Sequence, residues 1–436
     1  MIPAREIGVV TVVLMFATYP LAGAQEATGN LRATTVAPVD TPVTLTRTEA
    51  IRFALAHSPL IQAAEDRVEA AGGNLQSAAA RPPLQANLSL SVGGETASPV
   101  LTQVFETSGR RGPRTAVARN QVTAAERDRD VTRLNLVRDV SRAYYDFAQS
   151  LQSITLFEEV VDIVRRTRDT VRKQVDVGTI PSQDLVKAET ELARAESDVT
   201  RMQAQAQTNS VVLNTLLGRD TPLPLTSADP LTLTLVDTDQ TALMAQATKL
   251  RPEIALAEAR IAAARETVRL QRADYRPDLG VSLLQNTSVN SGQFLNPSAT
   301  GVGVSLAFPL FDAGRIRGRV REAEALVREQ ESLRTQARLE VIREVGSTYA
   351  QVKSTETLAA RYNSDILPRA QDLLSKAQFG YERGGNTLVE YLEAQRTYRN
   401  TRAEYLGILG DNARARAELE RATGQGLPAG TRETTR

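Results

Sequence analysis

Glu390 and Glu393 stand three residues apart in FGYERGGNTLVEYLEAQ (379–395), just after a Gly384-Gly385 break. On a helix that spacing places both carboxylates on one face. Repeated around a symmetry axis, such a pair makes two stacked acidic rings, a constriction that selects cations. The same acids also suit a solvated helix first turn, where the backbone dipole favours negative charge. Little else in the chain offers chemistry. It has one histidine, His57, and no cysteine, which excludes a disulfide, a thiolate metal site and a multi-histidine site within one chain. His57 reads as a polar residue at a helix break, not a ligand. With no glycine-rich phosphate loop, nucleophile motif or positioned histidine base, no catalysis, metal or cofactor is expected.

The acidic pair needs a bend to present it, and the chain has two. In VDVGTIPSQDLVKAE (175–189) and again at 379–395, a helical pattern stops at glycine, a short polar link follows, and a new helix opens with an acid, Asp184 or Glu390. Glycine is required there simply to end a helix. The exposed tips, Gly178, Thr179, Ile180, Gly384 and Gly385, are also candidates for docking a partner protein.

The rest of the chain reads in order. Its 436 residues carry a net charge of +1, so no field favours nucleic acid. The start, MIPAREIGVVTVVLMFATYPLAGAQ, has a basic residue, a short apolar run and Ala22-Gly23-Ala24, which predicts an export signal over 1–24. Residues 25–46 predict a flexible arm rich in Thr, Ala and Pro. A helical pattern runs over 47–80, interrupted near Ser58-Pro59 and Gly72-Gly73. Leu84, Ala86, Leu88, Leu90 and Val92 then alternate with polar residues, the period of a strand with one apolar face. That strand opens a hairpin over 84–106, and a long helical hairpin follows to Leu217-Gly218. The connector, 219–239, offers a short strand at Leu231 to Val236. A tail over 425–436 predicts disorder.

The pattern then repeats. His57 to Ala71 returns as Leu250 to Ala264, keeping Pro59/Pro252, Ile61/Ile254, Glu65/Glu258 and Arg67/Arg260. A second β-hairpin falls over 278–308, and Gly109, Tyr144, Gly178 and Gly218 return as Gly314, Tyr349, Gly384 and Gly424. Near-constant offsets divide the chain into two copies, 47–218 and 240–424. The fold expected is mainly α with a small β part and a two-fold internal repeat. Four strands cannot close a sheet in lipid, where an unpaired edge costs several kcal/mol per backbone group. The strands must therefore be shared among protomers, and a trimer supplies twelve.

These features resemble the TolC-type outer membrane efflux proteins over nearly the whole mature length. The resemblance rests on the repeat, on Arg-Pro-x-Leu before each hairpin (Arg81, Arg276), on Phe308-Pro309-Leu310-Phe311-Asp312-Ala313-Gly314-Arg315, on Val177-Gly178-Thr179-Ile180, and on Leu388-Val389-Glu390-Tyr391-Leu392-Glu393-Ala394. The first half looks somewhat like the heavy-metal cation branch, the second like the general drug-efflux pattern. The resemblance implies a homotrimer, a twelve-stranded barrel in outer membrane lipid, and a long α-helical barrel crossing the periplasm. It implies a passive exit duct for drugs, other small molecules or metal cations. The partners implied are a periplasmic adaptor and an inner-membrane pump of RND, MFS or ABC type. It also implies a latch in which a tyrosine and an arginine at the second bend reach an aspartate after the first. Tyr381 and Asp184 match; the arginine's position holds Asn386, with Arg383 as a possible substitute. A soluble periplasmic coiled-coil adaptor or scaffold is the competing reading, opposed by the strict alternation at 84–92 and its recurrence. Two arginine clusters, Arg110, Arg111, Arg114 and Arg315, Arg317, Arg319, are expected where barrel and helices join. The absence of tryptophan fits poorly with the aromatic girdles of lipid-facing barrels.

Overall fold

The computed structural model describes residues 43–91, 96–220, 223–227, 229–290, 293–307 and 311–425. The expected export signal, most of the arm and nearly all of the tail lie outside these residues.

One compact unit comprises 80–111 and 272–316 among its described parts. It holds a four-stranded antiparallel sheet of β2 (Gln85–Ser91), β3 (Thr96–Phe105), β5 (Asp278–Asn290) and β6 (Gln293–Ala307), in the order β2-β3-β5-β6. The two hairpins of the repeat thus join through β3 and β5, and β2 and β6 are the free edges. Register sorts the faces. Leu101 lies opposite Ala86 and Leu283, and Leu283 opposite Val302; Thr102 and Gly303 flank Ser282 on the other face. Leu88, Leu101, Leu283, Val302, Val304 and Leu306 are exposed, so the sheet turns an apolar face outward. The opposite face is mostly small and polar, with Val100, Val104 and Leu284 among its residues. There Ser305 sits over Gly280 and Ser282 over Gly303, each hydroxyl 3.4 Å from the facing glycine carbonyl.

The second unit, 40–79, 112–271 and 317–436, is helical. The repeat is visible in its element lengths. Helices α1 (Arg47–His57) and α5 (Gln240–Leu250) each have 11 residues, and α2 (Pro59–Ala79) and α6 (Pro252–Ala273) have 21 and 22. Then come the long elements, α3 (Arg111–Asp176), α4 (Ser182–Leu216), α7 (Arg315–Arg361), α8 (Leu367–Glu382) and α9 (Leu388–Thr423). Each half ends on a left-handed glycine, Gly218 or Gly424. The halves differ in one respect. Where α3 is continuous, α7 and α8 are separated by a π-helical turn, Tyr362–Ile366, just before Pro368. Proline has no amide proton and crowds the preceding turn, so a widened turn accommodates it. Among the described residues, no helix is long and apolar enough to cross a membrane.

The structure corrects three local expectations. Helix α2 runs straight through Gly72-Gly73; both glycines are surface positions with open space around them, where the helix loses propensity but meets no clash. No strand forms at Leu231 to Val236. Leu231 and Leu233 instead join the core of Ala359, Leu409 and Ala413, and the Val236 amide donates to Glu356 at 2.7 Å. The connector's strand lies earlier, as β4 (Leu225–Ser227), and pairs in parallel with β1 (Val43–Leu45). The end of the expected arm is therefore ordered, and Thr46 caps α1 with Glu49 in a capping box.

Tyr144 anchors this small ladder. Its ring is fully buried among Ala50, Val140 and Leu213. Its hydroxyl lies 3.0 Å from the Leu45 carbonyl and 2.9 Å from Asp229 Oδ2, and accepts from the Ser227 hydroxyl at 3.0 Å. Burial, reinforced by the Asp229 carboxylate, pushes its pKa up to about 12 from 10.0. A raised acid favours the folded state while protonated. Its stabilisation is thus complete below pH 10.0 and is lost as pH rises toward about 12. In thermal melts, Tyr144→Phe is expected to cost about 1–2 kcal/mol near neutrality, from buried acceptors left unpaired. The same variant should flatten the loss of stability above pH 10.0; an unchanged alkaline slope would place its origin elsewhere.

Candidate functional site: the paired bends

Both bends are closed by backbone geometry before any side chain acts. At the first, Gly178 takes φ 76°, the Thr179 amide returns to the Gln174 carbonyl at 2.9 Å, and the Thr179 hydroxyl bonds the same carbonyl at 2.7 Å. At the second, Gly384 takes φ 74° and the amides of Gly385 and Asn386 both reach the Gly380 carbonyl, at 2.8 and 3.2 Å. These left-handed turns need a residue without a Cβ. Gly178, Thr179, Gly384 and Gly385 are exposed, whereas Ile180 tucks inward.

A shared core joins the two tips. Val171, Ala188, Ala377, Leu388, Tyr391 and Leu392 are buried together, with Ile180 and Tyr381 against them. Tyr381 stacks on Tyr391, ring centroids 5.4 Å apart and nearly parallel. Its hydroxyl donates to Gln174 Oε1 at 3.1 Å, while Asp184 pairs with Lys187 at 2.9 Å. Within one protomer, then, the tyrosine meets the glutamine and not the aspartate. Asp184 is still felt: after burial, its charge is the next cause of the raised Tyr381 pKa. Asn386 does turn chemistry. Its amide lies so close to Gly380 that a Cβ there would come within 2.5 Å of it. Arg383 lies over the Phe379 ring at 4.2 Å, a cation–π contact.

Glu390 and Glu393 share the exposed face of α9. Their duties differ. Glu390 closes a capping box, its carboxylate accepting the Thr387 amide at 2.8 Å while its own amide donates to the Thr387 hydroxyl at 3.3 Å. Glu393 is solvated, 3.6 Å from Arg396. His57 ends α1, stacked on Phe53 at 4.2 Å with Nδ1 2.9 Å from the Phe53 carbonyl.

Sequence reasoning missed a second set of residues. Arg396, Arg399 and Arg402 recur every third residue along α9, and each reaches a carboxylate of the first helical hairpin. Arg396 grips Glu191 with Nε at 3.1 Å and Nη2 closer still; Arg399 lies 3.6 Å from Asp198 and Arg402 2.8 Å from Glu159. Glu191 is 5% exposed, and the Arg396 hydrogen bonds hold its carboxyl below the usual range against the opposing effect of burial. The three-residue spacing was visible, but the partners lie roughly two hundred residues away, beyond the reach of local pattern.

Against this geometry, the profile of the outer membrane efflux protein family matches residues 50–219 and 243–425, one block per repeat. The chain belongs to the outer membrane efflux protein family. Members of this family are outer membrane channels that work in tripartite pumps with a periplasmic adaptor and an inner-membrane pump. The chain is 24% identical to the cobalt-zinc-cadmium resistance protein CzcC of Cupriavidus metallidurans, over 74% of this chain and 75% of that protein. It is 27% identical to protein CyaE of Bordetella pertussis, over 90% of this chain and 88% of that one. The outer membrane protein VceC of Vibrio cholerae has the same fold, with a TM-score of 0.71 at 19% identity over 87% of this chain and 96% of VceC.

Proposed function

We propose that the chain is the passive exit duct of a tripartite efflux system, assembled as a homotrimer whose twelve strands close one barrel. One observation carries this reading: a four-stranded sheet with an exposed apolar face and two unpaired edges. Lipid tolerates the apolar face but not the edges, and two further copies supply the partners that β2 and β6 lack. Residues 1–24 serve as the export signal, and energy comes from the inner-membrane pump. The adaptor docks at the tips, Gly178, Thr179, Ile180, Gly384 and Gly385. Asp184, Tyr381, Arg383 and Asn386 hold the tips in register.

Glu390 and Glu393 form the constriction. The helical cap and the acidic ring do not compete, because a capping carboxylate keeps lone pairs for solvent and for passing cations. Cargo is selected by the pump. An acidic entrance together with likeness to a cobalt-zinc-cadmium resistance protein favours cations.

Planar-bilayer recording of the purified protein tests this. Wild type is expected to conduct as a trimer with cation preference and to be blocked by di- and trivalent cations. Glutamine at N3 still supports a capping box, so Glu390→Gln/Glu393→Gln removes charge without unwinding α9. The variant should keep its conductance and lose both preference and block. Unaltered selectivity removes the rings from the proposal, and a monomer without conductance removes the duct.

A further inference from the structure

We propose that the end of the sheet at which the chain enters and leaves it is a binding site for the phosphate headgroup of anionic phospholipid. The inference rests on the outer membrane location and concerns the leaflet facing the periplasm. Charge along the sheet is distributed very unevenly. The four strands contain a single charged residue, Asp278, at the first position of β5. Beyond that end, residues 80–84, 106–111, 272–277 and 311–316 contribute six arginines and three further carboxylates.

The carboxylates are committed. Asp274 pairs with Arg110 at 3.2 Å, and Asp278 accepts the Ser108 amide at 3.1 Å. Asp312 accepts the amides of Gly314 and Ile316 at 3.1 and 2.9 Å, and Glu106 has a partner of its own. Among the described residues, three guanidiniums carry no direct partner, although Arg315 lies in the field of the Asp312 carboxylate. Arg81, Arg276 and Arg315 are exposed, and among the described residues none makes an ion pair or a side-chain hydrogen bond. Two of them are held at one rim. The Thr107 hydroxyl bonds the Pro277 carbonyl at 2.8 Å and Gln103 bonds the Pro82 carbonyl at 2.9 Å, fixing the segments that carry Arg276 and Arg81. Arg315 follows directly on the Asp312 cap.

The surroundings point to lipid over a soluble anion. Phe105, Tyr275 and Phe311 are exposed at the same rim, in the position where aromatic side chains favour a membrane interface. The apolar face begins at the first or second position of each strand from that end, with Ala86, Phe105, Leu279 and Leu306. Acyl chains lie against that face while the guanidinium forks take the phosphate, a pairing arginine makes with two parallel hydrogen bonds. Free phosphate uses only half of such a site.

Native mass spectrometry of the full-length protein in neutral detergent tests it, with phosphatidylglycerol, phosphatidylcholine and inorganic phosphate as probes. Phosphatidylglycerol is expected to be retained over phosphatidylcholine, and inorganic phosphate should not displace it. Arg81→Gln/Arg276→Gln/Arg315→Gln should lower retention about tenfold, and the corresponding lysine triple should recover part of it, because an ammonium keeps the charge but not the two-bond fork. Equal retention by the glutamine triple, or equal retention of phosphatidylcholine, overturns the site. Displacement by inorganic phosphate overturns its assignment to lipid. If the glutamine triple does not fold, wild type decides: retention must fall between about 50 and 500 mM salt, and insensitivity overturns the proposal. Lipid retention is read without conductance, so its outcome is separate from that of the duct.

Discussion

Val302→Arg is expected to strip the protein from the outer membrane. Val302 is 74% exposed and lies opposite Leu283, well inside the sheet and on its apolar face. Arginine facing lipid near the middle of the bilayer costs about 2–4 kcal/mol. A trimer bears that cost three times, enough to exhaust the margin by which most proteins are folded. Asn87→Arg is the matched control, on the opposite face of edge strand β2, exposed and across from Val100. It should leave membrane level and assembly near wild type. Outer membrane fractionation and heat-resistant trimer on gels read both. Equal loss in the two variants would indicate a strand intolerant of arginine on either face; normal insertion of Val302→Arg would mean that this face never meets lipid.

The same alternation explains why so much of the sheet was legible. Period two is a local property, and Leu84 to Val92 displays it without help from any partner. The repeat was legible for a related reason, since Pro59 and Pro252 must each start a helix and Gly178 and Gly384 must each end one. Residues defined by non-local pairing were not. Leu231 to Val236 has the composition of a strand, yet its alternate leucines pack into a helical core, and among the described residues no strand lies beside it to accept the ladder. Leu225–Ser227 gave little signal by itself and is a strand because Val43–Leu45 arrives beside it. At the bends, spacing identified the face shared by Glu390 and Glu393. It did not reveal that Glu390 also closes a cap, or that Tyr381 reaches Gln174 and not Asp184. The absence of arginine at position 386 was apparent from the sequence alone. That the chain ties its hairpins through arginines further along α9 was not.

Removing that tie is the second large expected effect. Arg396→Ala leaves Glu191 buried, with only the longer-range charges of Arg399 and Arg194, the latter at 3.9 Å, to offset its own. Stripping one partner from a buried ion pair costs about 3–5 kcal/mol; Arg396 is 37% exposed, so the lower end applies. Because the pair bridges α4 and α9, the loss should loosen the bends and raise the leak conductance of the resting protein. Glu191→Ala/Arg396→Ala removes both charges and should recover much of the stability, since no lone carboxylate remains. A double variant as unstable as the two singles combined would show that Arg396 contributes packing and no charge pairing. Acid offers an independent reading. A lowered carboxylate pKa stabilises the fold above its ordinary value of 4.5 and withdraws that support as pH falls below it. Wild type should therefore begin to leak below about pH 4.5, while Arg396→Ala should already leak at neutrality and leak less as acid protonates the lone Glu191 carboxylate. Identical acid profiles in the two proteins would mean that another group holds the bends together.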